Sequence, residues 1–198
     1  MQINYYFLLY MNKFILHGGF SIEKFPAQED DNFFQEILKD IQEDVKILLV
    51  YFAEREDMVS LRIEQDEKSF DKCRGSKKLE FKVASPESFL EDCKWANVIY
   101  LHGGRTAKLM DKLEKYKNIK QIFSGKTIAA DSAGVNVLAQ ISYGKNSKEI
   151  KEGLKVLPFK VVVHYIDGDS NPLRDIEPNL ETVFLKEYET KSIYYSII

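Results

Sequence analysis

Residues 127–136 read Thr127-Ile128-Ala129-Ala130-Asp131-Ser132-Ala133-Gly134-Val135-Asn136. A short apolar run passes straight into a helical pattern through a serine with small neighbours. That is the layout of a nucleophile elbow, usually Gly-x-Ser-x-Gly, with Ala130 in the first position. Such a turn is tight, so bulky neighbours would clash, and the serine Oγ is left standing above a sheet edge. The N–H of Ala133 would then point to where an oxyanion forms, with the positive end of the helix dipole behind it. The same residues also fit a plain helix-capping serine.

Outward from the elbow, short apolar runs alternate with helical patterns. Residues 13–17, 46–52, 79–83, 97–101 and 160–163 read as strands. The run KILLVYF at 46–52 is apolar throughout, the mark of a strand buried on both faces. Residues 30–43 place Phe33, Phe34, Ile37, Leu38 and Ile41 at three- and four-residue spacing and predict a helix. Further helices are predicted at 58–72, 106–117 and 133–141, and after Ser85-Pro86, where Ser85 is suited to cap and Pro86 to the first position. Residues 182–185 and 192–197 read as a final pair of strands. This alternation predicts an α/β fold with a mostly parallel sheet covered on both faces. The polar segments 144–153 and 167–179 read as surface loops bordering a site.

The chain has 198 residues, which suits one domain over residues 11–198. Residues 1–10, MQINYYFLLY, read as an extension or a misplaced start ahead of Met11, or as an extra edge strand. That run is too short to span a bilayer and lacks the marks of a signal peptide. The net charge of −3 argues against a phosphate-reading nucleic-acid binder. Two cysteines, Cys73 and Cys93, make no disulfide framework and no CxxC, so a reduced, cytoplasmic setting is expected. The terminal aromatics Tyr5, Tyr6, Phe7, Tyr194 and Tyr195 leave a homodimer open.

Two stretches share one pattern: Phe14-Ile15-Leu16-His17-Gly18-Gly19 and Ile99-Tyr100-Leu101-His102-Gly103-Gly104. The glycines allow a sharp exit from the sheet and expose backbone N–H groups. Parallel strands end at one edge, so His17, His102, Ser132 and His164 are expected on one side of the molecule. No histidine pair has i,i+4 spacing and no HExxH occurs, so no metal is expected; no GxGxxG or GxxxxGK[ST] calls for a nucleotide. No cofactor is implied. A serine nucleophile needs a base, and His164, ending the strand at 160–163, suits that role. The base needs an acceptor on its other ring nitrogen, and Asp167, Asp169, Glu149 and Glu187 all remain open.

Together these residues resemble the dipeptidase E family of serine peptidases (family S51), which also holds cyanophycinase. Three motifs carry the resemblance in order: Gly103-Gly104-Arg105-Thr106 for Gly-Gly-Asn-Thr; Ala130-Asp131-Ser132-Ala133-Gly134-Val135-Asn136 for Gly-x-Ser-Ala-Gly-Ala-Asn; and Leu157-Pro158-Phe159 leading through Val163 to His164. The resemblance implies a class I glutamine-amidotransferase-like three-layer sandwich of flavodoxin-like type. It implies Ser132 as nucleophile, His164 as base, and the N–H groups of Gly104 and Ala133 as oxyanion hole. Leu185-Lys186-Glu187-Tyr188 is similar to the family's Leu-Pro-Glu-Gly stretch and makes Glu187 the first choice of acid. A second family acid position is held here by Ser147, with Glu149 nearby. Family peptidases take small peptides with an amino-terminal aspartate, whose carboxylate calls for a cation. Arg105, in place of the family asparagine, and Arg174 are the expected substrate-binding cations. A small-molecule esterase or amidase, and a catalytically silent binding member, are the rival functions. A cysteine-dependent glutaminase of the same fold is not expected, because Cys73 and Cys93 lie far from the elbow.

Overall fold

The computed structural model describes residues 11–20, 30–41, 44–145 and 147–197. The segment 1–10 lies outside them. Six strands form the central sheet: β1 (Asn12–His17), β2 (Val45–Val50), β3 (Leu79–Val83), β4 (Val98–Leu101), β5 (Thr127–Asp131) and β10 (Thr190–Tyr195). Their order is β10-β1-β5-β4-β2-β3. All neighbours run parallel except β10, which is antiparallel to β1.

Side chains alternate across this sheet. Ile15, Ile47, Leu49, Val98, Tyr100 and Ala129 face helices α1 (Asp31–Leu38) and α2 (Val59–Cys73). Phe14, Leu16, Leu48, Val50, Ile99, Leu101, Ile128 and Ala130 face the other layer. That layer holds α3 (Phe89–Trp95), α4 (Thr106–Leu113), α5 (Ile119–Phe123) and α6 (Ala133–Leu138). Both faces are covered, as the continuous apolar strands require.

Several helices are shorter than their periodicity suggests. Asp30 caps α1 by accepting the Phe33 N–H at 3.3 Å. The helix stops at Leu38 because Lys13 Nζ takes the Glu36 and Lys39 carbonyls at 2.8 and 2.9 Å, and Asp40 turns to φ 65°. After Pro86 the chain makes a turn first: Ser85 Oγ accepts the Ser88 N–H at 3.2 Å, and α3 begins at Phe89.

A second sheet corrects the expectation of a loop over 144–153. Strands β6 (Ile141–Gly144) and β7 (Glu149–Glu152) form an antiparallel hairpin, pairing Ile141 with Glu152 and Gly144 with Glu149. β6 then runs parallel to β8 (Lys160–Tyr165), and β8 parallel to β9 (Thr182–Lys186). β7 is an exposed edge strand, so it needs no apolar face and reads as a loop. The expected final pair is also split: β9 joins this second sheet, whereas β10 closes the edge of the first.

Helix α6 joins the two sheets. All six of its residues are buried, and it touches β5, β6 and β8. The carbonyls of Val137, Leu138 and Ala139 at its end accept from Leu154, Leu157 and Lys155 N–H groups. No helix among the described residues is long and apolar enough to cross a membrane.

Candidate active site

The elbow at 131–133 forms as its small residues predict. Ser132 sits between β5 and α6 at φ 40° and ψ −91°, a conformation that non-glycine residues seldom hold. Its N–H is fixed by the His17 carbonyl of β1 at 3.1 Å, and its carbonyl accepts the Asn136 N–H at 3.0 Å. Gly134 is required by close approach, since a Cβ there would lie 2.7 Å from the Leu101 carbonyl oxygen.

His164 reaches the elbow from the second sheet. The β8–β9 register slips between Val163 and Tyr165, so His164 is the extra residue of a bulge, at φ 54°. The bulge is held at both backbone ends: the His164 N–H donates to the Gly18 carbonyl at 3.0 Å, and Lys145 Nζ donates to the His164 carbonyl at 3.1 Å. The ring then places Nε2 2.9 Å from Ser132 Oγ. Its Nδ1 lies 3.3 Å from Glu187 Oε1, just beyond β9.

The four acids left open by the sequence are thereby separated. Asp167 pairs with Lys186 at 2.7 Å, Asp169 with Lys145 at 2.9 Å, and Glu149 with Lys151 at 2.8 Å. Glu187 alone of the four bonds the ring of His164. That contact is partly solvated, with side-chain exposures of 27% for His164 and 41% for Glu187.

Gly104 and Ala133 are brought to the same edge by a side-chain tie. Asn136 Nδ2 in α6 donates to Thr106 Oγ1 at the start of α4, 3.2 Å away. This joins the helix after the elbow to the turn after β4. Gly104 has φ 133°, and a Cβ there would lie 2.5 Å from the Ala53 carbonyl oxygen. Ala133 opens α6, so its N–H has no acceptor within that helix.

The profile of peptidase family S51 matches residues 14–196. The chain belongs to peptidase family S51. No curated protein sequence matches it significantly. Among solved structures, a peptidase from an acI-B1 Actinobacterium superposes with a TM-score of 0.63 at 21% identity, covering 92% of this chain and 83% of that one. A candidate peptidase E protein from Listeria monocytogenes EGD-e superposes with a TM-score of 0.61 at 15% identity, covering 94% and 98%. Identities this low carry the fold, and both neighbours share it.

In this S51 peptidase the three histidines have three different tasks. His164 meets Ser132. His17 is wholly buried, with Nδ1 2.7 Å from Asp131 Oδ1 and Nε2 2.9 Å from Asp30 Oδ2. His102 donates from Nδ1 to the Gly103 carbonyl at 2.9 Å, with Nε2 3.6 Å from Asp66 Oδ2. Asp66 also accepts from the Tyr51 hydroxyl at 2.9 Å; burial, only partly opposed by His102 and that hydroxyl, pushes its carboxyl up to about 6.

The two arginines are less committed. Arg105 adjoins Gly104 and is exposed, its N–H tied to the Ala53 carbonyl at 2.9 Å. Arg174 is exposed in the 166–181 segment, and no contact links it to Ser132, His164 or Glu187. The sequence reading passed over Asp131 and Asp30 as partners of His17. The one signal was the position of Asp131 directly before the serine. Lys160 was missed as well: it is 2% exposed, and its Nζ donates to the carbonyls of Leu173, Ile176 and Glu177 at 2.9, 2.6 and 3.1 Å.

Proposed function

We propose that this S51 chain is a serine peptidase that cleaves small peptides by acyl transfer. The observation that carries the reading is the 2.9 Å contact between Ser132 Oγ and His164 Nε2. The two residues come from different sheets, and each is held at a positive φ, a cost that a plain helix cap does not require. Ser132 Oγ attacks the peptide carbonyl while His164 Nε2 takes its proton. Glu187 accepts from Nδ1, which sets the tautomer and steadies the imidazolium. The N–H groups of Gly104 and Ala133 hold the developing oxyanion. His164 then protonates the leaving amine, and water, activated by the same ring, releases the acid.

An amino-terminal aspartate on the substrate would meet Arg105 at the mouth of the site, with Arg174 as the alternative cation. Arg105 is favoured because its backbone directly follows Gly104.

The test is fluorophosphonate labelling with peptide mapping, wild type beside His164→Ala. Labelling of Ser132 that is lost in the variant supports an activated nucleophile. Equal labelling in both would remove His164 as base. Folded wild-type protein that stays unlabelled and leaves aspartyl dipeptides intact would favour a silent binding member. Ester turnover that aspartyl dipeptides fail to inhibit would favour an esterase.

A further inference from the structure

We propose that His17 is a positioning residue of this site: clamped between the carboxylates of Asp131 and Asp30, it holds residues 17–19 as a backbone frame that registers Ser132, His164 and the turn carrying Glu187. The inference rests on the Ser132–His164–Glu187 reading above.

Residues 17–19 bond the backbone of Ser132, of His164 and of both neighbours of Glu187. The His17 carbonyl accepts the Ser132 N–H at 3.1 Å, and the Gly18 carbonyl accepts the His164 N–H at 3.0 Å. The Gly19 carbonyl accepts the Tyr188 N–H at 3.0 Å, next to Glu187, and the Gly18 N–H donates to the Glu189 carbonyl at 3.0 Å. Gly19 also lies directly under the catalytic ring: a Cβ on it would stand 2.2 Å from His164 Cε1. One short strand exit therefore sets the relative positions of groups drawn from β5, β8 and the end of β9.

What holds that exit is the His17 side chain. A carboxylate oxygen faces each ring nitrogen, an arrangement that an imidazolium donating from both nitrogens satisfies, while the Gly19 N–H also lies 3.3 Å from Nδ1. Burial would favour the neutral ring, but the bonds to Asp131 and then Asp30 outweigh it and raise its pKa to about 9. Phe33 stacks on the ring at 4.6 Å and Phe20 packs against it, tilted, at 4.5 Å, so the ring has little room to rotate. Tyr188 meets its edge at 6.4 Å. The titratable groups facing the ring are thus Asp131 from β5, Asp30 ahead of α1, and Tyr188 beyond β9. Asp66 of α2 lies near enough to Asp131 to feel its charge.

Asp131 carries the clamp to the opposite side of the elbow. Its Oδ1 bonds His17, while its Oδ2 lies where a Cβ on Gly103 would come within 2.3 Å. The two His-Gly-Gly motifs flank β5 on either side, and Asp131 fills the space between them.

A merely stabilising ion pair would change the melting temperature and leave the state of His164 alone. The full chain has three histidines, so ring-13Cε1 labelling gives three NMR signals, assignable with His102→Gln and His164→Gln. The spectra would be followed from roughly pH 6 to pH 10. The expected result is a His17 signal that stays imidazolium until about pH 9, with a second step in the His164 signal at the same midpoint. In Asp30→Asn, which keeps a capping side chain on α1, both midpoints should fall together by about one unit. Ser132 labelling at about pH 8 should drop on the order of tenfold in that variant. Asp131→Asn is the second variant. The proposal is overturned if His17 titrates in the ordinary histidine range in the wild type, or if the His164 signal ignores the titration of His17. Should the two signals move together in a protein whose Ser132 never labels and which leaves aspartyl dipeptides intact, the frame stands and the peptidase reading falls.

Discussion

Ser132 and His164 each occupy backbone conformations that cost on the order of 1–3 kcal/mol, and each is locked there by a hydrogen bond to residues 17–19. Strain that two unrelated elements maintain at one contact is the residue-scale argument for catalysis. Ser132→Ala should cut peptide turnover by several orders of magnitude, roughly 10³-fold or more, with an unchanged circular dichroism spectrum. Gly104→Ala should also fail, for a different reason. Its methyl group would press on the Ala53 carbonyl at an unfavourable φ, displacing the N–H assigned to the oxyanion. We expect a kcat loss on the order of 10²-fold, read beside a thermal melt that falls by roughly 5–10 °C while the protein stays folded at the assay temperature. Arg105→Ala should raise KM for aspartyl dipeptides about tenfold, more than it lowers kcat; equal KM values would move the carboxylate site elsewhere.

At the scale of elements, the decisive device is the bulge that ends β8. A regular strand would pair Val163, His164 and Tyr165 in sequence with β9, whereas the slip frees His164 to leave the sheet. The start of the same strand is anchored by Lys160, whose ammonium binds three carbonyls of the 173–177 turn. Lys160→Met keeps the apolar stem and orphans those carbonyls. It should destabilise the fold by about 2–3 kcal/mol, measured by denaturant unfolding, and increase proteolytic cleavage within residues 166–181. Unchanged stability would show that the turn is held by other contacts. The bulge was not legible in the sequence: the apolar run 160–163 marks a strand that ends at His164, whereas the strand continues to Tyr165 and the slip exists only relative to its partner β9. The β6–β7 hairpin escaped notice for a related reason, since β7 is a polar edge strand without the alternation that burial imposes, and β6 is only four residues long.

For the whole molecule, the buried His17 cluster links stability to pH. Its folded pKa is raised from 6.5 to about 9, so the stabilisation is complete below the unfolded value and is lost as pH rises through about 9. The difference corresponds to roughly 3 kcal/mol, or a fall in melting temperature of about 10 °C across that window. His17→Gln should melt lower near neutral pH and lose this alkaline decline. A wild-type melting temperature that stays flat across the window would contradict the clamp. Asp66 acts with the same sign at lower pH, its contribution fading as pH rises through about 6.

The sequence by itself determined the alternation of strands and helices, the elbow at Ser132 and the strand ending in His164. These are local patterns: apolar period, small residues at a tight turn, glycines at a strand exit. It also narrowed the acid to four residues, and Glu187 was preferred by resemblance to a family. Only the tertiary structure decided that Glu187 meets His164, that Asp167, Asp169 and Glu149 are spent on lysines, and that His17 grips the residue before Ser132. Those outcomes depend on contacts between residues far apart in the chain, Asp131 lying 114 positions from His17. Local propensity carries no record of which distant partner a charge will find; the packing of the two sheets around α6 supplies it.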